Sequence, residues 1–128
     1  MRAYLRNEIE SASPARILEL LLNGALRFMG DASRDFADGR AVEGRQAASR
    51  AADIVTELSA TMRADVAPEL AAAVLPIYDF VIRRLLHCVL HDDVNALAEA
   101  QKTFETIAEA FLVALEKASA DAAAAAPG

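Results

Sequence analysis

The chain has 128 residues and a net charge of −6, and 30 of its residues are alanine. That length fits a single domain with one core. The acidity, with Lys and Arg scattered rather than clustered, argues against nucleic acid and anionic membrane surfaces as partners. Cys88 is the only cysteine, so no internal disulfide forms, which suits a reducing compartment. The first residues carry Arg2, Arg6, Glu8 and Glu10 and lack the apolar core of a signal peptide. No run of about 18 apolar residues is present, so no transmembrane helix is expected. These features predict a cytoplasmic protein.

Alanine is the strongest helix former, and only five glycines and four prolines interrupt the chain. Residues 1–12 read as a short helical arm with Tyr4, Leu5 and Ile9 as its apolar positions. Ser13-Pro14 then marks a helix start, with Ser as N-cap and Pro at the first helical position. The first long helix is expected to reach Asp38, with Gly39 as its stop. Leu18, Leu21, Ala25, Phe28 and Ala32 form one heptad stripe, and Leu22, Leu26 and Met29 form a second line beside it.

A second long helix is expected over 41–62, on a stripe of Ala47, Ala51, Ile54 and Leu58. Residues 63–68 read as a connection. The third, from Pro68 to His91, carries two stripes: Leu70, Val74, Ile77, Val81 and Leu85, then Tyr78, Ile82, Leu86 and Val89. Pro76 lies inside it and should kink or split it. Asp92-Asp93 supplies a cap for the fourth helix, whose seam is Val94, Leu97, Gln101, Phe104, Ala108, Phe111 and Leu115. That helix is expected to fray from Ser119, leaving 120–128 as a disordered alanine-rich tail. The fold class is therefore all-α: an antiparallel up-down four-helix bundle over 13–119 behind the N-terminal arm.

Catalytic and metal-binding patterns are thin. His87 and His91 stand at i and i+4, but Cys88 occupies the place of the glutamate in a metalloprotease motif and no third histidine exists. No metal or other cofactor is expected, and the two histidines suit the negative end of a helix dipole. A phosphotransfer histidine would want a nearby Lys or a small neighbour, and His87 is followed by Cys88, Val89 and Leu90. No Glu stands three residues before either histidine, as di-iron bundles require. Histidine phosphotransfer remains as an alternative, as does a self-associating helical adaptor, and a homodimer is left open. The main expectation is a non-enzymatic binding protein.

Three stretches carry a resemblance. Ser13-Pro14 followed by Leu18, Leu22, Gly24-Ala25 and Phe28 resembles the opening of the flagellar secretion chaperones (FliS). The stretch from Ala52 to Leu58 is similar to the second long helix of that family. Ile77-Tyr78-Asp79-Phe80-Val81-Ile82-Arg83-Arg84-Leu85 is similar to its Leu-Tyr-Asp-Tyr-Met-x-Arg-Arg-Leu signature, and Asp93 and Leu97 continue the pattern. Leu22-Asn23-Gly24 replaces the family's Leu-Tyr-Asp-Gly, so a tyrosine is lost, and Phe111 stands where Trp is common.

The resemblance implies a cytoplasmic bundle that binds the disordered C-terminal segment of flagellin, blocks its early polymerisation and delivers it for export. Export-gate or assembly factors would be further partners. Leu18, Leu22, Ala25, Leu26, Met29, Tyr78, Ile82 and Leu86 become the candidate groove, as helix-in-groove recognition requires surplus apolar surface. Tyr4, Leu5 and Ile9 would cover that groove when it is empty. Ser13, Pro14, Gly24, Tyr78, Asp79, Arg83 and Arg84 are the signature positions.

Overall fold

The computed structural model describes residues 13–125. Four helices follow one another: α1 (Pro14–Ala37), α2 (Ala41–Thr61), α3 (Pro68–His91) and α4 (Val94–Ala125). No strand occurs among the described residues. Each helix packs against two others, α1 on α2, α2 on α3, α3 on α4 and α4 back on α1, which closes an antiparallel square. The α1–α4 seam is the most open of the four.

The helix ends lie where the residue chemistry puts them. The Ser13 hydroxyl accepts from the Arg16 backbone N–H at 3.2 Å, and Pro14 sits in the first turn. Gly39, with φ of 77°, turns the chain after α1, a conformation glycine adopts without a Cβ clash. Asp92 caps α3 in the left-handed region with φ of 50°, and both its carboxylate oxygens accept from Arg45 of α2, at 2.9 and 3.0 Å. Asp93 starts α4: its Oδ1 accepts from the Ala96 N–H at 3.1 Å. That backbone donor holds the Asp93 carboxyl below its usual range, with a smaller contribution from His87.

The core is narrow. Of 21 buried hydrophobic residues, 10 are alanine, and four of these (Ala47, Ala48, Ala51, Ala52) lie on α2. Large side chains come mainly from the other helices: Leu22 and Met29 of α1, Tyr78 and Leu85 of α3, Leu97 and Phe104 of α4. The Tyr78 and Phe104 rings are 6.4 Å apart across the α3–α4 seam.

Three expectations change. On α1 the fully buried line is Leu22, Ala25, Met29 and Ala32, while Leu18, Leu21, Leu26 and Phe28 flank it, half-buried. Burial therefore centres between the two lines, which together make one broad face, and Leu22 and Met29 are core rather than spare surface. A helix in a square bundle meets two neighbours, so its apolar face must span both. Pro76 does not split α3, which is helical without a break from Pro68 to His91. Pro76 is exposed, so the carbonyl it leaves unbonded faces water. Finally, α4 continues to Ala125 rather than ending at Ser119. The alanine run there extends the helix past its last packed turn on propensity alone.

Candidate peptide-binding surface

The eight groove candidates do not form one surface. Leu22, Ala25 and Met29 are fully buried, and Tyr78 is 1% exposed; all four are core. Burial raises the Tyr78 hydroxyl to a pKa of about 12. A side chain sealed in this way offers a ligand nothing unless the bundle opens. Leu18, Leu26 and Ile82 are half-buried, and Leu86 is 44% exposed. Leu18 and Leu26 belong to α1, whereas Ile82 and Leu86 lie one turn apart on α3.

One of these residues does sit in an open groove. Leu26 of α1 faces Leu112 and Val113 of α4 across a shallow trough of about 410 Å³, with Glu105, Glu109 and Glu116 completing its lining. No α3 residue lines it, so Ile82 and Leu86 stand apart. Val113 is 60% exposed, and the three glutamates are exposed as well. The trough therefore offers aliphatic side chains flanked by carboxylates on its α4 side. Such a surface suits an amphipathic segment with cationic residues beside its apolar stripe.

Leu112 and Val113 were not among the sequence candidates. Leu112 adjoins the Phe111–Leu115 seam and Val113 lies off it, so each reads as ordinary flank. Their signal is that α4 carries three consecutive apolar residues, Phe111 to Val113, where a strict seam needs one.

A second depression, of about 360 Å³, lies between α1 and α2 and is lined by Phe28, Asp31, Arg34, Asp35, Glu43, Gln46, Ala47 and Arg50. Its charges pair internally: Arg34 binds Asp31, and the guanidinium of Arg50 lies 5.8 Å from the Phe28 ring centre. It presents both signs and little apolar floor.

The signature residues serve the scaffold. Ser13 and Pro14 start α1. Gly24 faces Ile54 of α2, where a Cβ would meet the Ile54 side chain at 3.4 Å, an ordinary contact. Arg83 pairs with Asp79 one turn earlier, on the exposed side of α3. Arg84 reaches Glu99 of α4 at 3.4 Å, tying those helices together. Adjacent arginines thus point to different partners, as the 100° step of a helix requires. Tyr4, Leu5 and Ile9 lie outside the described residues.

Cys88 is buried, and its thiol is pushed up to about 11 by that burial and by Asp92 and Asp93 nearby. It is therefore a poor nucleophile. No group of three or more potential metal ligands is gathered among the described residues, and no helix there is long and apolar enough to cross a membrane.

Comparison with known proteins matches residues 1–118 to the family model for the flagellar protein FliS. The flagellar secretion chaperone FliS of Salmonella typhimurium is 32% identical over 124 residues, covering 93% of this chain and 92% of that protein. The flagellar secretion chaperone FliS of Bacillus subtilis is 26% identical over 119 residues, covering 93% of this chain and 88% of that protein. Capped α1, the paired arginines of α3 and a closed four-helix square thus agree with a match over nearly the whole chain, and the chain belongs to the FliS family of flagellar secretion chaperones.

Proposed function

We propose that this protein binds the C-terminal segment of flagellin in the cytoplasm, keeps it from polymerising and hands it on for export. The observation that carries the reading is the trough of Leu26, Leu112 and Val113, where aliphatic side chains at the edge of the core stay partly or largely open to solvent. Filament subunits have terminal helices whose apolar faces are buried only on assembly. A free segment of that kind needs a partner with exposed aliphatic surface. The acidic flank of Glu105, Glu109 and Glu116 favours a client stripe with Lys or Arg beside it. Docking onto export-gate or assembly factors is then left to other faces, and Ile82 with Leu86 on α3 is one apolar pair that could serve it.

The arm fits the same reading. α1 and α4 are antiparallel neighbours, so Pro14 lies at the end of the bundle where α4 finishes. To Tyr4, Leu5 and Ile9 we assign the role of covering the trough until a client displaces them.

Calorimetry with a peptide of roughly the last 50 residues of the cognate flagellin tests this, since coupled folding that buries apolar surface gives a large negative heat-capacity change. One-to-one binding with that signature is expected. Val113→Asp, at an exposed position that leaves the core alone, should weaken it about tenfold or more. Deleting residues 1–11 should tighten it. Undiminished binding by Val113→Asp sinks the trough as the site, and unchanged affinity on arm deletion sinks the covering role.

A further inference from the structure

His87 and His91 occupy consecutive turns at the C-terminal end of α3, and both are exposed. Their ring centres are 4.6 Å apart, with the planes inclined at 51°. Nδ1 of His87 lies 3.1 Å from Oδ2 of Asp93. His91 makes no ion pair or hydrogen bond among the described residues; its one contact is the His87 ring.

We propose that His87 and His91 form a two-imidazole chelate for a divalent transition metal, with Asp93 as the residue that orients His87. Three arguments support this. An imidazole nitrogen bound at about 2.1 Å places the ring centre about 3.2 Å from the ion, so two rings at a right angle have centres about 4.5 Å apart. The observed separation matches that arrangement, and the wider tetrahedral angle would need about 5.2 Å on the same bond length. Second, Oδ2 of Asp93 lies beside Nδ1 of His87, so a small rotation of the ring would seat the Nδ1 proton on it and leave Nε2 as the ligand atom, as in the carboxylate–histidine–metal pattern. Third, Asp93 is itself fixed by the Ala96 N–H, so the orienting group is anchored to α4.

The chelate is an open one. No third ligand is gathered beside the pair among the described residues, so water would complete the coordination shell. Paired imidazoles at a right angle suit tetragonal or octahedral ions, Ni²⁺ and Cu²⁺ ahead of Zn²⁺. The neighbouring charges are accounted for: Asp92 is held by Arg45, and Arg84 turns to Glu99, so no cation is aimed at the pair. Binding would clip the last turn of α3 beside the α3–α4 connection. The proposal is independent of the client reading.

The test is calorimetric titration of the tag-free full chain with Ni²⁺ alone, beside thermal unfolding with and without the ion. One ion per chain and a higher melting temperature are expected. His91→Asn and His87→Asn should each weaken binding by about 100-fold, because the second imidazole of a chelate binds as an intramolecular step. Asp93→Asn, which keeps a competent cap, should weaken it about tenfold. Unfolding of each variant in chelator checks that the bundle is intact. Absence of Ni²⁺ binding by the native chain, undiminished binding by a folded histidine variant, or tighter binding of Zn²⁺ than Ni²⁺ would each overturn the assignment.

Discussion

Gly44 is the position where one missing atom decides most. A Cβ there would lie 2.8 Å from two atoms of the Phe36 ring and 3.0 Å from its root carbon, so the whole ring would have to move. Gly44→Ala gains about 1 kcal/mol of helix propensity and loses about 1–3 kcal/mol to overpacking. A net loss in urea unfolding is expected, and Phe36→Leu in the same chain should recover part of it. Nothing in the sequence marks Gly44, because the constraint comes from a residue on another helix. The opposite holds for Ser13, whose capping role was legible from Ser-Pro alone. Tyr78 and Cys88 set a second residue-level expectation. Both are buried neutral, with pKa values raised from 10.0 to about 12 and from 9.0 to about 11. The unfolded chain loses these protons first, so their contribution is full below pH 9 and falls as pH rises towards 12. Cys88→Ala should flatten the lower half of that decline and Tyr78→Phe the upper half, read as melting temperature against pH.

Among the elements, α3 carries a proline inside its continuous span. Pro76 is exposed inside a continuous helix. Pro76→Ala restores a backbone hydrogen bond and is expected to stabilise the protein by about 1–3 kcal/mol. Chemical denaturation checks this, and a loss of stability would mean that the bundle depends on the local geometry proline imposes. The four helices were legible as elements because caps, prolines and apolar periods agreed at each boundary. Their faces were less so. Two adjacent stripes on α1 read as one core seam and one spare line, yet burial centres between them, on Leu22, Ala25, Met29 and Ala32. Helical periodicity gives the direction of an apolar face, and its width depends on how many neighbours the helix meets. The end of α4 was misjudged for a related reason: alanine continues a helix whether or not anything packs on it.

At the scale of the molecule, antiparallel order and the FliS resemblance were both readable from residue spacing, whereas the open surface was not. Four of the eight groove candidates are sealed in the core, and Leu26 alone of the eight lines the trough. Its partners Leu112 and Val113 are apolar residues in a helix full of them, and only the looseness of the α1–α4 seam distinguishes them. The alanine-rich interior gives the two sides of this bundle different histories. Where Ala47, Ala48, Ala51 and Ala52 hold α2 in place, any larger side chain pushes a helix outward, so substitution there destabilises the bundle whatever the partner. Around Leu26, Leu112 and Val113 the side chains are part-exposed, so a change of size there is accommodated towards solvent. On the proposed reading, substitutions in the trough change which segment it accepts, while the alanine-packed side of the square keeps its shape.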